Sequence, residues 1–167
     1  MKLRNLEEKD IEFIYEWMKD PTVNLYFRFD PDQVTLQSVA EFVKNSRDQT
    51  GTINLAIADD DDEYLGTVSL KNIDRINGHA EYAISLRSKA SGKGVGTFAT
   101  KAILDKAFYE IGLNRVYLNV LSDNIRAVRL YEKIGFKREG EFRRHLLLRG
   151  GYRDLSWYAI LKEEYGA

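Results

Sequence analysis

The chain has 167 residues with no cysteine, two histidines, 44% hydrophobic and 31% charged residues and a formal net charge of −1. This describes one globular domain, 1–167, long enough to bury a sizeable core, and it argues against disulfides, a cysteine nucleophile and any thiolate or histidine-rich metal centre. The near-neutral charge offers no broad field for nucleic acid or an anionic membrane, no apolar run approaches the ~18 residues of a membrane span, and the early acidic turn at Glu7-Glu8 is not that of a signal peptide, so a cytoplasmic location is expected.

A short strand is predicted over Lys2–Leu6. Ile11, Ile14, Tyr15 and Met18 recur at helical spacing, and Asp20-Pro21 stops that helix because proline disfavours helical geometry in the residue before it. The stretch Asn24–Phe29 is aromatic without a clean period. Leu36, Val39, Ala40 and Val43 then form a second stripe with Thr35 as its N-cap. Strands are predicted near 52–58, 64–73 and 79–86. Between the first two, Asp59-Asp60-Asp61-Asp62-Glu63 reads as a solvated hairpin loop, since the ligand and glycine spacing of a calcium loop is missing. Between the last two, Asn77-Gly78 predicts a type I′ turn with positive φ at both positions.

A glycine-rich turn, Ser91-Gly92-Lys93-Gly94-Val95-Gly96-Thr97, leads into a long helix marked by Val95, Ala99, Ile103, Ala107 and Ile111. Gly112 ends it as a left-handed cap, with Leu113 placed to pack back on the last turn. Val116, Leu118 and Val120 alternate as a strand. The next helix opens at Asn124, carries Ala127, Val128, Tyr131 and Ile134 on its apolar side, and is capped by Gly135. Two closing strands near 136–148 and 152–161 meet at Arg149-Gly150-Gly151. The order predicts an α+β fold with a mixed, mostly antiparallel sheet flanked by helices, in which 79–86 and 114–121 run parallel through a right-handed crossover.

Gly92, Gly94 and Gly96 let the backbone approach a ligand closely, and a helix N-terminus follows whose free N–H groups favour an anion. A pyrophosphate is the natural guest, with Lys93 as an added charge; a flexible connection with a merely solvated lysine is the plainer alternative. Gly94-Val95-Gly96-Thr97-Phe98-Ala99 formally fits the dinucleotide fingerprint G-x-G-x-x-A. It lies past mid-chain, however, beside a single β-α-β unit whose second strand ends Val120-Leu121-Ser122 without the required acid. The Walker pattern is absent.

Glu81-Tyr82-Ala83-Ile84-Ser85-Leu86, the turn 91–97, and Asn124-x-x-Ala127-x-x-Leu130-Tyr131-Glu132-Lys133-x-Gly135-Phe136 together resemble the GNAT superfamily of acetyl-CoA-dependent N-acetyltransferases, whose order of elements is similar along nearly the whole chain. The end, Glu139-Gly140-Glu141-Phe142 to Gly151-Tyr152-Arg153-Asp154, is similar to the branch holding spermidine and ribosomal-protein N-terminal acetyltransferases. The resemblance implies that the amides of Ser91, Gly92, Lys93, Gly94, Val95, Gly96 and Thr97 hold the pyrophosphate of coenzyme A. It implies that Ile84, Ser85 and Leu86 pair through their backbone with the pantetheine arm, that an N–H near Leu86 polarises the thioester carbonyl, that Asn124 binds the pantetheine, and that Tyr131 protonates the departing thiolate. It also implies that Asp20–Asp30 walls the acceptor. Ser91 stands where the family usually has Gln or Arg, so a long polar arm is missing.

The residues carry part of this on their own. Asn124 and Tyr131 return to nearly the same helix face, and a neutral phenol with an ordinary pKa near 10 can protonate a thiolate at pH 7. A core tyrosine with a bonded hydroxyl is the alternative. Glu81 is a candidate base, directly or through water, or a contact for a cationic acceptor, or a plain exposed strand end. His145 is the other candidate base. Tyr26, Phe27 and Phe29 suit a substrate-binding wall, or a core. The expected function is direct transfer of acetyl from acetyl-CoA to a primary amine in a ternary complex, with no metal. Polyamines, protein N-termini and nucleotide-linked amino sugars are the acceptor classes, and a non-catalytic acyl-CoA sensor is the alternative. An edge strand or the C-terminal hairpin could support a homodimer.

Overall fold

The computed structural model describes residues 1–166; Ala167, the last residue of the expected domain, lies outside the described residues. Strands β1 (Lys2–Asn5), β2 (Ile53–Ala58), β3 (Tyr64–Asp74), β4 (His79–Leu86), β5 (Arg115–Leu121), β6 (Lys137–Leu148) and β7 (Gly151–Leu161) form one seven-stranded sheet in the order β1-β2-β3-β4-β5-β7-β6. Every neighbouring pair is antiparallel except β4 with β5, which is the mixed, mostly antiparallel sheet that the sequence pattern predicts. The α-helices are α1 (Ile11–Lys19), α2 (Leu36–Asn45), α3 (Val95–Asp105) and α4 (Ile125–Ile134). Among the described residues no helix is long and apolar enough to cross a membrane.

The helices lie on both faces of the sheet, and strand alternation divides the core between them. Ile57, Leu70, Tyr82 and Val116 pack with Ile103 and Phe108 beneath α3 and its continuation. Ala56 and Tyr64 pack with Ile14, Trp17 and Val39 beneath α1 and α2. Local chemistry sets the helix ends. Thr35 caps α2 in a reciprocal box with Ser38, each side chain accepting from the other's backbone N–H at 3.1 Å. Gly112, at φ +83°, ends the third helix after a π-helical stretch over Lys106–Ile111, and the buried Leu113 donates its N–H to the Ala107 carbonyl.

Two turns differ from expectation. At Asn77-Gly78 only the glycine takes positive φ. The Asp74 carboxylate accepts from the N–H of Ile76 and of Asn77, both at 2.9 Å, and so holds a wider loop than a type I′ turn. The turn with two positive φ values is instead Arg149-Gly150, at +51° and +77°, joining β6 to β7. Nor is Asp59–Glu63 merely solvated. Asp62 meets Lys2, Lys9 and Arg4, which hold its carboxyl well below the usual range, while Glu63 meets Arg87 and Lys89 and Asp60 meets the N-terminal amine. The cations come from positions distant in sequence, which is why the acidic run alone did not disclose them.

Candidate active site

The site begins where the sheet comes apart. β4 and β5 pair only through His79, Ala80 and Glu81 opposite Arg115, Val116 and Tyr117. β5 then continues along β7 as far as Leu121, while β4 continues along β3 as far as Leu86. The β5-facing edge of Tyr82–Leu86 therefore has no partner strand among the described residues, and backbone groups of Ile84, Ser85 and Leu86 are available to an extended ligand. Close approach on the other side of β4 depends on Gly66, where a Cβ would lie 2.3 Å from the Ser85 carbonyl oxygen.

A groove of about 680 Å³ runs from this edge between α3 and α4. Ser91, Gly92, Gly94, Val95, Gly96 and Thr97 line one end, and Ile84, Ser85, Leu86, Asn124 and Tyr131 line the rest. Gly92 and Gly94 both sit at φ +78°, with open space where a Cβ would be. Gly94 is the N-cap of α3 and no side chain caps that end, so the first N–H groups of the helix are left for a bound anion. The glycine cradle and the free donors fit a pyrophosphate. Gly96 has a different reason to be glycine: a Cβ there would lie 3.1 Å from Leu130 Cδ2, so its absence lets α3 and α4 close together. The exposed Lys93 lies outside the lining.

Three cations that the sequence reading missed line the groove, Arg87 and two on α4. Arg126 and Lys133, both exposed on α4, fall on one stripe with Leu130 at i, i+4 and i+7, a spacing visible in the sequence. They supply long cationic arms in a groove whose turn begins with serine.

Asn124 caps α4 by accepting from the Ala127 N–H at 3.3 Å, which occupies its oxygen and leaves its amide N–H groups for a ligand. Tyr131 is 8% exposed, its ring packed against Tyr82 and Phe136. Burial raises its pKa well above the ordinary phenol range, so it stays protonated throughout physiological pH. Its neighbour Tyr82 is bonded to Thr100 at 2.8 Å, whereas the Tyr131 hydroxyl has no partner among the described residues.

A second cavity of about 370 Å³ lies on the α1–α2 side of the sheet and shares Phe27, Ile84 and Ser85 with the groove. Phe27 and Phe29 line it. Tyr26, exposed at the end of the 3-10 turn Asn24–Tyr26, lines the larger groove instead. Asn24 anchors this segment, donating to the Met18 carbonyl at 2.8 Å and accepting from Arg149 at 3.0 Å.

Glu81 lines neither cavity and stands in the last residue pair before the strands part. Its carboxylate accepts from Asn72 at 3.0 Å and from Asn119 at 3.1 Å, and Asn119 accepts in turn from Arg28 at 2.6 Å. Asn72 takes φ +49° in an irregularity of β3, a conformation that asparagine tolerates. Burial and the nearby Glu81 charge raise the pKa of Tyr117. His145 is exposed within an irregularity in β6, its ring against Phe142 at 5.1 Å, and it lines neither cavity. Arg87, also unforeseen, is buried where β4 ends. It donates to Glu16 at 2.8 Å, Glu63 at 2.6 Å and the Tyr64 carbonyl at 3.0 Å, and so fixes the end of the strand that edges the groove.

Comparison with known proteins agrees with this geometry. Residues 1–137 match the family model of the acetyltransferase (GNAT) domain. The spermidine N(1)-acetyltransferase of Escherichia coli (strain K12) is 28% identical over 165 residues, covering 99% of this chain and 88% of that protein. The putative ribosomal N-acetyltransferase YdaF of Bacillus subtilis (strain 168) is 35% identical over 105 residues, 63% of this chain and 57% of that protein. The crystal structure of spermidine N-acetyltransferase from Vibrio cholerae in complex with CoA and spermine superposes with a TM-score of 0.89 at 28% identity, covering 98% of this chain and 96% of that one. With a split sheet, a glycine-capped helix end and a family match over most of its length, the chain belongs to the GNAT acetyltransferase family.

Proposed function

We propose that this enzyme moves acetyl from acetyl-CoA to a primary amine by direct attack in a ternary complex, with Tyr131 as the proton donor to the departing thiolate. The observation that carries the proposal is a single groove joining uncapped N–H groups of α3 to the buried ring of Tyr131, whose hydroxyl has no hydrogen-bond partner among the described residues. Acetyl-CoA supplies an activated thioester. The turn 91–97 holds its pyrophosphate through backbone donors, Arg126 and Lys133 add charge for its phosphates, and Asn124 binds the pantetheine arm along Ile84–Leu86. Glu81, oriented by Asn72 and Asn119, receives the amine and takes its proton, directly or through water. The chain has no cysteine, so acetyl does not rest on a thiol of the enzyme, and the reaction needs no metal. The spermidine N-acetyltransferases among its relatives support a small amine as acceptor. A homodimer through the outer edge of β6 belongs to the same proposal.

The test is release of free CoA from acetyl-CoA across a panel of amines. Acceptor-dependent release supports the reading. Tight acetyl-CoA binding with only slow, acceptor-independent release would favour the sensor alternative, and absence of binding would reject both.

A further inference from the structure

Resting on the acetyltransferase reading, we propose that the acceptor of this enzyme is a primary amine bearing an apolar, ring-sized group, and not a polyamine. The cavity on the α1–α2 side is walled by Ile14, Trp17, Met18, Phe27, Phe29 and Phe42. The rings of Trp17, Phe27 and Phe29 pack on one another with centroids 5.2, 5.8 and 5.9 Å apart, so they form one continuous wall and not a cage around a cation.

Two polar side chains of the floor, Ser69 and Thr67, are already engaged inside the fold. Ser69 donates to Asn54 at 2.7 Å, and Thr67 shares a 2.8 Å bond with the Tyr64 hydroxyl. Among the described residues no carboxylate lines the cavity, and the one charged lining residue is Lys71. A second ammonium placed here would lose its water with no anion to replace it, beside a like charge.

Position connects this cavity to the chemistry. Ala83 and Ser85 line it, and Glu81 precedes them on the same face of β4 by strand alternation. An amine held between Glu81 and the free edge of β4 thus has the cavity beside it for the group on its neighbouring carbon. Two sources share that chemistry: a free arylalkylamine, and a peptide whose first residue is large and apolar.

The experiment compares kcat/KM for phenethylamine, a peptide beginning with Phe, the same peptide beginning with Ser, and spermidine, alongside the Kd for acetyl-CoA. At least one of the two apolar arms should exceed spermidine by about tenfold or more, and which arm does so names the source. Phe42 is 36% exposed, so replacing it should leave the fold intact. Phe42→Glu should lower kcat/KM for the preferred apolar amine about tenfold at unchanged acetyl-CoA Kd, and Phe42→Leu should restore most of it. Spermidine used as well as or better than both apolar arms, or an unchanged apolar-amine kcat/KM in Phe42→Glu, overturns the inference while leaving the acetyltransferase reading intact. Failure to bind acetyl-CoA, or no acceptor-dependent release in any arm, overturns that reading and this inference with it.

Discussion

The ring of Tyr131 meets that of Tyr82 edge to face, with centroids 5.8 Å apart. Tyr82 is itself fixed: its hydroxyl pairs with Thr100, whose Oγ donates to the Gly96 carbonyl at 2.6 Å. The position of the phenol on α4 is thereby referred through β4 to the first turn of α3, where the coenzyme phosphates are proposed to bind. Two buried tyrosines lie side by side, one hydroxyl committed to the fold and the other left over.

Tyr131→Phe should keep the ring packing and lose only the proton. Its kcat is expected to fall by roughly 10²–10⁴, the usual contribution of a positioned acid, with the acetyl-CoA Kd unchanged. Tyr82→Phe should do the reverse, costing about 1 kcal/mol of stability through the lost bond to Thr100 while leaving most of the turnover. Steady-state kinetics and isothermal titration of both variants separate the two roles.

Glu81→Gln keeps the shape of the side chain and removes its charge. Turnover should drop by at least about tenfold in steady-state kinetics, because the group that takes the amine proton is gone. Asn119→Ala, which unties one oxygen of Glu81, should give a smaller loss in the same direction.

The glycines divide by mechanism. Gly94→Ala places a side chain at φ +78°, which should cost about 1 kcal/mol and weaken acetyl-CoA binding, since the strained residue caps the phosphate end. Gly66→Ala puts a methyl 2.3 Å from a backbone oxygen, so β3 and β4 must separate, and the Tm should fall far more. Thermal melts with and without acetyl-CoA distinguish them.

Arg126→Ala and Lys133→Ala should each raise the Kd for acetyl-CoA several-fold without touching the Tm, because both side chains are exposed. The salt dependence of binding should flatten in the double variant, as expected for charges that meet phosphate across solvent. Titrations at low and high ionic strength check this.

Alkaline stability should follow the buried tyrosines. Burial raises the pKa of Tyr64, Tyr82 and Tyr131 above the ordinary 10.0, so the fold favours their protonated forms. Their contribution is complete below pH 10, where the unfolded chain is also protonated, and is lost as the pH climbs toward the folded values. Urea midpoints should therefore decline above about pH 10, less steeply in Tyr131→Phe.

Much of this was legible in the sequence, for reasons that are local. Thr35, Asp20-Pro21, Gly112 and Gly135 end their helices through chemistry contained within a few residues, and the structure places each where the pattern does. Gly92 and Gly94 likewise declare a backbone conformation. The misses are pairings across the chain. Asn72 and Asn119 reach Glu81 from β3 and β5, Arg87 joins α1 to the acidic hairpin, and Asp74 reshapes the loop at Asn77-Gly78 by folding its own carboxylate over it. No periodicity encodes such partners. Tyr26 and Phe29 line different cavities and Phe27 lines both, a division at one turn of 3-10 helix that no periodicity in the sequence marks.

Most of the groove proposed for the donor is contributed by residues 84–133, and most of the apolar cavity wall by residues 14–42, the two meeting at Phe27, Ile84 and Ser85. On the proposed assignment, the two halves of the reaction are carried by separate stretches of chain. A lineage can exchange one amine for another by altering its first two helices and their connection while the thioester machinery stays as it was. Kinship at 28% identity over nearly the whole length is, on this architecture, no guarantee of a common diet.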